Sequence, residues 1–295
     1  MTVHRSHLQG SIESFMQSNV MSVSLETPLR EVSALLDRHN SAEGGCSKHN
    51  DSGLSGENSP KAPTDVRRRP ESFSSVPVLE GEHIVGVVSR TDLLRLGRRE
   101  GAGHGAPLAP LPARSAGEVA TRPAVVVTPG ESLMHVAGMM VERRIHRVFV
   151  AQEGKLVGVF STLDLLRAIA HSRVELQLAE VMSKPAFTLP VASTVAHATD
   201  RLAHAHVSGL CIVDEEGWPV GLFSQREALA ASHLPGESSV EDAMSYALVC
   251  LHGQVPLYRA ASLAASSRAR RVLVIEHRHV VGVVTPLDFA RAVSH

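Results

Sequence analysis

Aromatic residues are scarce in this sequence. One Trp, two Tyr and seven Phe make up 3% of its 295 residues. So few rings leave little on which to stack unpaired bases, which argues against single-stranded nucleic-acid binding. The core must instead be packed with Val, Leu, Ala and Met. An excess of either charge is also missing: 29 Lys and Arg face 30 Asp and Glu, for a formal net charge of −1. That balance offers no global field to a nucleic acid or an anionic membrane. Cys46, Cys211 and Cys250 are an odd, widely spaced set without a CxxC pair. This excludes a disulfide framework and a zinc site and fits a reducing compartment. No apolar run approaches the roughly 20 residues of a spanning helix. Met1 to Gly10 has no apolar stretch of a secretory signal, so a cytoplasmic, soluble chain is expected. No Ser/His/Asp or Cys/His set is tied together by motif, so the chain is not expected to be an enzyme. Gly101-Ala102-Gly103-His104-Gly105 follows no strand and is not read as a phosphate loop. His204 and His206 are two apart and would diverge on a helix, so no metal or required cofactor is expected.

What the sequence does contain is one phrase written four times. Leu156-Val157-Gly158-Val159-Phe160-Ser161-Thr162-Leu163-Asp164 reads as a buried strand that runs into a helix start. The hydroxyl of Ser161 and the carboxylate of Asp164, three residues on, form an N-cap signature. Val85 to Asp92, Val220 to Glu227 and Val281 to Asp288 repeat it, with Ser89, Ser224 and Thr285 as the hydroxyls. Internal repetition takes precedence over other fold readings. Upstream of each phrase lies a short strand and an amphipathic helix, and between them and the phrase a second strand. Thr27-Pro28 is expected to open the first of these helices, with Pro just inside its start and Leu29, Val32, Leu35 and Leu36 on one face. Lead-in positions Ala120, Met182 and Met244 recur at intervals of 62.

The first repeat is interrupted. From the first apolar residue of the middle helix to the hairpin glycine the spacing is 57 in repeat one, but 25, 26 and 25 in the others. The excess falls on 41–74, where Gly, Ser, Asn, Pro and basic residues dominate, and this insertion is read as disordered. Its Arg67-Arg68-Arg69 run is read as solvated. The expected division is repeat one at 11–98, a linker at 99–114, repeat two at 115–174, repeat three at 175–233 and repeat four at 239–295. A unit of about 60 residues buries too little surface alone, so the units should pair.

Four copies of helix-strand-helix-strand-strand-helix ending in Gly-h-h-Ser/Thr-x-x-Asp resemble CBS domains, the modules named after cystathionine beta-synthase. The resemblance implies an α+β fold in which four repeats pair into two Bateman modules. It also implies that clefts between paired repeats take an adenosine-type regulatory ligand: AMP, ADP, ATP or S-adenosylmethionine. By the same resemblance, Asp92, Asp164 and Asp288 would accept the ribose hydroxyls, and Ser89, Ser161 and Thr285 would add a hydroxyl near ribose or phosphate. A carboxylate suits that task because its two oxygens take both donors in charge-assisted bonds. Repeat three departs from the pattern, with Glu227 where Asp is expected. The plain alternative is that each pair only caps its helix, and the two roles can coexist.

Phosphates call for fixed positive charge. Counting 12 and 11 residues back from the hairpin glycine gives His146-Arg147 in repeat two and Arg270-Arg271 in repeat four. The same count gives Ser74-Ser75 in repeat one and Gly209-Leu210 in repeat three. Arg offers a planar fork for phosphate oxygens, and His adds a titratable donor. The Arg-Ile-His-Arg-Val phrase is similar to one in the gamma regulatory subunit of AMP-activated protein kinase, where such residues clamp nucleotide phosphates. The plain alternative is a solvated basic helix end. The expected role is therefore a ligand-sensing regulator that acts through an effector protein or a homodimer. A non-catalytic interaction scaffold with empty or degenerate clefts is the second reading.

Overall fold

The structure is a computed structural model. It describes residues 8, 10–38, 75–97, 111–205, 207, 209–231 and 234–294. The insertion expected at 41–74, and the linker but for 111–114, lie outside the described residues. The contacts divide into two compact units, Met21–Gly97 with Pro110–Ala124, and Met1–Val20 and Arg98–Ala109 with Val125–His295.

The smaller unit holds β1 (Val23–Ser24), α1 (Leu29–Arg38), β2 (Ser75–Glu80), β3 (His83–Ser89), α2 (Arg90–Gly97) and the short α3 (Ala116–Val119). β1 runs parallel to β2, and β2 antiparallel to β3. Leu29, Val32 and Leu36 of α1 are buried with Val76, Val78 and Val88, as the apolar spacing requires. Pro28 lies one residue before α1 rather than inside it. Pro286 is the proline that occupies a first helical turn.

The larger unit holds three more copies of this plan. The first is β4 (Val126–Val127), α4 (Leu133–Arg143), β5 (Arg147–Gln152), β6 (Lys155–Ser161) and α5 (Thr162–Ser172). The second is α6 (Leu178–Val181), β7 (Thr188–Pro190), α7 (Val195–His204), β8 (Gly209–Val213), β9 (Pro219–Ser224) and α8 (Gln225–Ala230). The third is β10 (Cys250–His252), α9 (Leu257–Ser267), β11 (Val272–Glu276), β12 (His279–Val284) and α10 (Pro286–Val293). Every copy pairs its first strand parallel to its second and its second antiparallel to its third. Repeats two and four share one apolar core, with α5 along α9 and α10 against α4, whereas repeat three has its own. The hairpin tips of repeats three and four also meet, where Arg278 lies 4.5 Å from the centre of the Trp218 ring.

Each hairpin carries a one-residue bulge at the same place, leaving Val85, Val157, Val220 and Val281 out of register just before the glycine. The glycine itself makes room for a neighbour's lead-in. A methyl on Gly158 would lie 3.1 Å from Met16 Sδ, one on Gly282 2.5 Å from Met182 Sδ, and one on Gly86 2.9 Å from Ala120 Cβ. Gly221 meets Met244 in the same way. The lead-ins are thus exchanged within each pair of repeats. Gln17 bridges to Val159, Thr121 to Val87, Ser183 to Val283 and Ser245 to Leu222. The regular spacing of Ala120, Met182 and Met244 is the trace of this exchange. Cys211 and Cys250 are free thiols, and burial pushes Cys211 up to about 12. No helix among the described residues is long and apolar enough to cross a membrane.

Candidate functional site

The predicted basic residues owe their position to a helix ending used twice. α4 buries Leu133, Val136, Ala137 and Met140, then stops at Arg144 in the left-handed region (φ 52, ψ 41). α9 buries Leu257, Ala260, Ala261 and Ala264 and stops at Arg268 in the same conformation (φ 55, ψ 28). This turn satisfies last-turn carbonyls and reverses the chain. The two residues that follow one position later, His146-Arg147 and Arg270-Arg271, are therefore delivered to the heads of β5 and β11. The ladder sets Arg147 directly across from Ser161. Val272 pairs with Val284, so Arg271 and Thr285 are the next residues beyond that pair. Basic and hydroxyl candidates of one repeat thus share one end of one sheet.

In repeat three the count back from the glycine needs correcting. Ile212 pairs with Gly221 and Gly209 with Ser224, so Gly209 and not Leu210 matches Arg147. Leu210 is buried in the core of its own repeat. The hairpin of repeat three is one residue longer, which the sequence spacing concealed. In repeat one Ser75 stands opposite Ser89, and Ser74 lies outside the described residues.

His146, Arg147, Arg270 and Arg271 converge. The pKa of His146 lies below its ordinary value, first through desolvation and then through the charges of Arg270, Arg147 and Arg271. By surface area His146 is exposed. Arg271 is lowered by burial, opposed by Glu227 and reinforced by Arg270. Its guanidinium lies across repeat three at a residue without a side chain: a methyl on Gly209 would come within 2.6 Å of its Cζ and Nε. Repeats two, three and four thus bring these four basic residues and Glu227 near one another. Arg143 and Arg144 remain exposed.

The motif carboxylates are built as caps. Asp164 Oδ2 accepts from Ser161 N at 2.9 Å and Ser161 Oγ at 2.6 Å, and Asp288 Oδ2 accepts from Thr285 N at 2.8 Å and Thr285 Oγ1 at 2.6 Å. Both are full capping boxes on buried carboxylates. Asp92 repeats the bonds with Ser89 (2.8 and 2.5 Å) but is only half-buried. Glu227 caps its helix through Ser224 N and Oγ, so the extra methylene does not break the cap.

Four further contributors escaped the sequence reading. Arg167 Nη1 donates to Asp164 Oδ1 at 2.9 Å and Arg291 Nη1 to Asp288 Oδ1 at 2.7 Å. Gln17 Nε2 donates to Asp164 Oδ1 at 3.1 Å and Ser183 Oγ to Asp288 Oδ1 at 2.9 Å. A signal for the arginines existed: the motif extends to Ser/Thr-x-x-Asp-x-x-Arg in repeats one, two and four, and repeat three has Ala230 there. Nothing in the local sequence marked Gln17 or Ser183.

The CBS domain model matches residues 66–99, 116–171, 178–234 and 240–295, well over half of the chain. The chain belongs to the CBS domain family. Two solved structures share its fold over 96% of this chain and 99% of theirs. One is a conserved protein from Pyrococcus horikoshii (TM-score 0.64, 16% identity), the other protein MJ1225 from Methanocaldococcus jannaschii (TM-score 0.65, 11% identity). Among curated relatives, the A-adding tRNA nucleotidyltransferase of Aquifex aeolicus is 26% identical over 169 residues, which is 57% of this chain and 20% of that protein. The L-aspartate semialdehyde sulfurtransferase of Methanocaldococcus jannaschii is 23% identical over 37% of this chain and 21% of its own length. The chain thus spans about a fifth of the length of these two enzymes.

Proposed function

We propose that this CBS protein is a regulatory sensor of an adenosine-type nucleotide, with the phosphates held by His146, Arg147, Arg270 and Arg271. The observation that carries this reading is the convergence of those four residues from two repeats on one patch. Arg offers a planar fork for phosphate oxygens and His a titratable donor, so four such groups near one another suit a phosphate. A preference for a phosphate-bearing ligand favours AMP, ADP or ATP over S-adenosylmethionine with its positive sulfonium. Asp92, Asp164 and Asp288, with Ser89, Ser161 and Thr285, are the candidates for ribose. MJ1225, which shares the fold, is described as a candidate archaeal homolog of g-AMPK, in keeping with this reading. The output would pass to an effector protein or through a homodimer, in the cytoplasm, without a catalytic step. The working division into repeats remains 11–98, 115–174, 175–233 and 239–295.

Titration calorimetry with AMP, ADP, ATP and S-adenosylmethionine tests the reading, with Arg270→Ala/Arg271→Ala as the variant. A hydrogen bond to a charged group contributes roughly 1.5–3 kcal/mol, so the double variant should bind at least about tenfold more weakly. Heat from none of the four ligands, or equal affinity in the double variant, would refute it. Repeat three favours the scaffold reading locally. It lacks the motif arginine, and Arg271 of repeat four already occupies the space over Gly209. A native mass spectrum showing no retained nucleotide, with flat calorimetry, would extend that reading to the whole chain.

A further inference from the structure

The exchanged lead-ins do more than hold repeats together. In two of them the residue that follows the lead-in Met, Gln17 after Met16 and Ser183 after Met182, lies beside the motif carboxylate of the repeat it packs against. An ionised carboxylate offers about four acceptor positions. Asp288 already takes four donors: Thr285 N, Thr285 Oγ1, Arg291 Nη1 and Ser183 Oγ. Asp164 likewise takes Ser161 N, Ser161 Oγ, Arg167 Nη1 and Gln17 Nε2. Two ribose hydroxyls cannot be added to either without removing donors. The helix cap and the arginine belong to the same short segment as the carboxylate. The lead-in donors come from 147 and 105 residues away in sequence. Asp92 differs: among the described residues only Ser89 N and Oγ reach it, both at Oδ2, and Oδ1 accepts nothing.

Resting on the nucleotide reading above, we propose that Gln17 and Ser183 are latches, which close the carboxylates of repeats two and four until a ribose displaces them. Displacing Ser183 unpins the segment that follows α6, whose main chain is otherwise held by Ser183 N to Val283 O (2.9 Å) and Val283 N to Ser183 O (3.1 Å). α6 lies against β12 and α10, so the release is felt where α10 packs on α4. Ligand occupancy is thereby converted into loosening of a lead-in, a movement that a partner can read. Asp92 needs no such release.

Ser183→Ala and Gln17→Ala keep the main-chain bridges and test the latch with AMP as probe. Calorimetry should show AMP binding about tenfold tighter in Ser183→Ala, since one competing donor to a charged acceptor is gone. Hydrogen exchange in the parent protein should show residues 178–185 exchanging faster when AMP is bound. Gln17→Ala gives an independent measure at Asp164. AMP binding that is retained but no tighter in either variant overturns the latch alone. Slower exchange of 178–185 in the AMP complex does the same. AMP binding to none of the proteins overturns both the latch and the nucleotide reading.

Discussion

Replacing Asp288 with Ala in the ligand-free protein isolates what the motif carboxylate contributes to the fold. The substitution removes the acceptor of four hydrogen bonds at 2.6 to 2.9 Å. The two from Thr285 form the N-cap of α10, whose loss costs about 1 kcal/mol. The bond from Arg291 counts for little, because that side chain is 55% exposed and returns to water. The bond from Ser183 ties two repeats and is charge-assisted, at roughly 1.5 kcal/mol. Removing a buried charge returns part of its desolvation cost. The net expectation is about 2 kcal/mol of destabilisation. Asp164→Ala, with the same set of donors around a fully buried carboxylate, should match it. Asp92→Ala should cost only about 1 kcal/mol, since cap bonds are all it loses. Denaturant unfolding without nucleotide measures all three. Equal losses at Asp92 and Asp288, or a loss at Asp288 below about 0.5 kcal/mol, would refute the account of the caps and lead-in bonds.

Two further outcomes follow from the site. In the unfolded chain His146 takes up its proton near 6.5, and in the folded chain only below that. The unfolded state therefore binds more protons between the two values. The stability contribution of His146 is full above pH 6.5 and is lost as pH falls toward the folded value. A bound phosphate reverses the local field, so nucleotide affinity should strengthen as pH falls from 7.5 to about 6.5, and His146→Ala should flatten that profile in calorimetry. Gly282→Ala would set a methyl 2.9 Å from Met182 Cγ and 3.1 Å from the Ser183 carbonyl oxygen. It should cost roughly 1–3 kcal/mol in denaturant unfolding, and an unchanged midpoint would count against the packing role of the glycine.

Legibility in the sequence followed the range of the interaction. The phrase at Gly158 to Asp164 exposed the hairpin, the cap and the helix because all three are made by residues a few positions apart. The start of α1 was misplaced by one residue because a Pro before a helix and a Pro inside it look alike in sequence. The matching residue in repeat three was also off by one, because Gly221 lies one residue further from its partner strand than the other hairpin glycines do. The basic residues were found by spacing, yet nothing local said that His146-Arg147 and Arg270-Arg271 would meet.

The sequence by itself determined the repeat unit, its number, its family and the chemistry each copy carries, since hydrophobic period, capping pairs and hairpin glycines are short-range properties of the chain. Only the tertiary structure decided which copies share a core, that the lead-ins are exchanged, and that Gln17 and Ser183 close the carboxylates of other repeats. It also decided that basic residues of repeats two and four come near one another, and that Arg271 lies over the empty side of Gly209. The reason is physical: a repeat too small to bury its own surface completes itself with a neighbour, and the choice of neighbour depends on packing between segments more than a hundred residues apart.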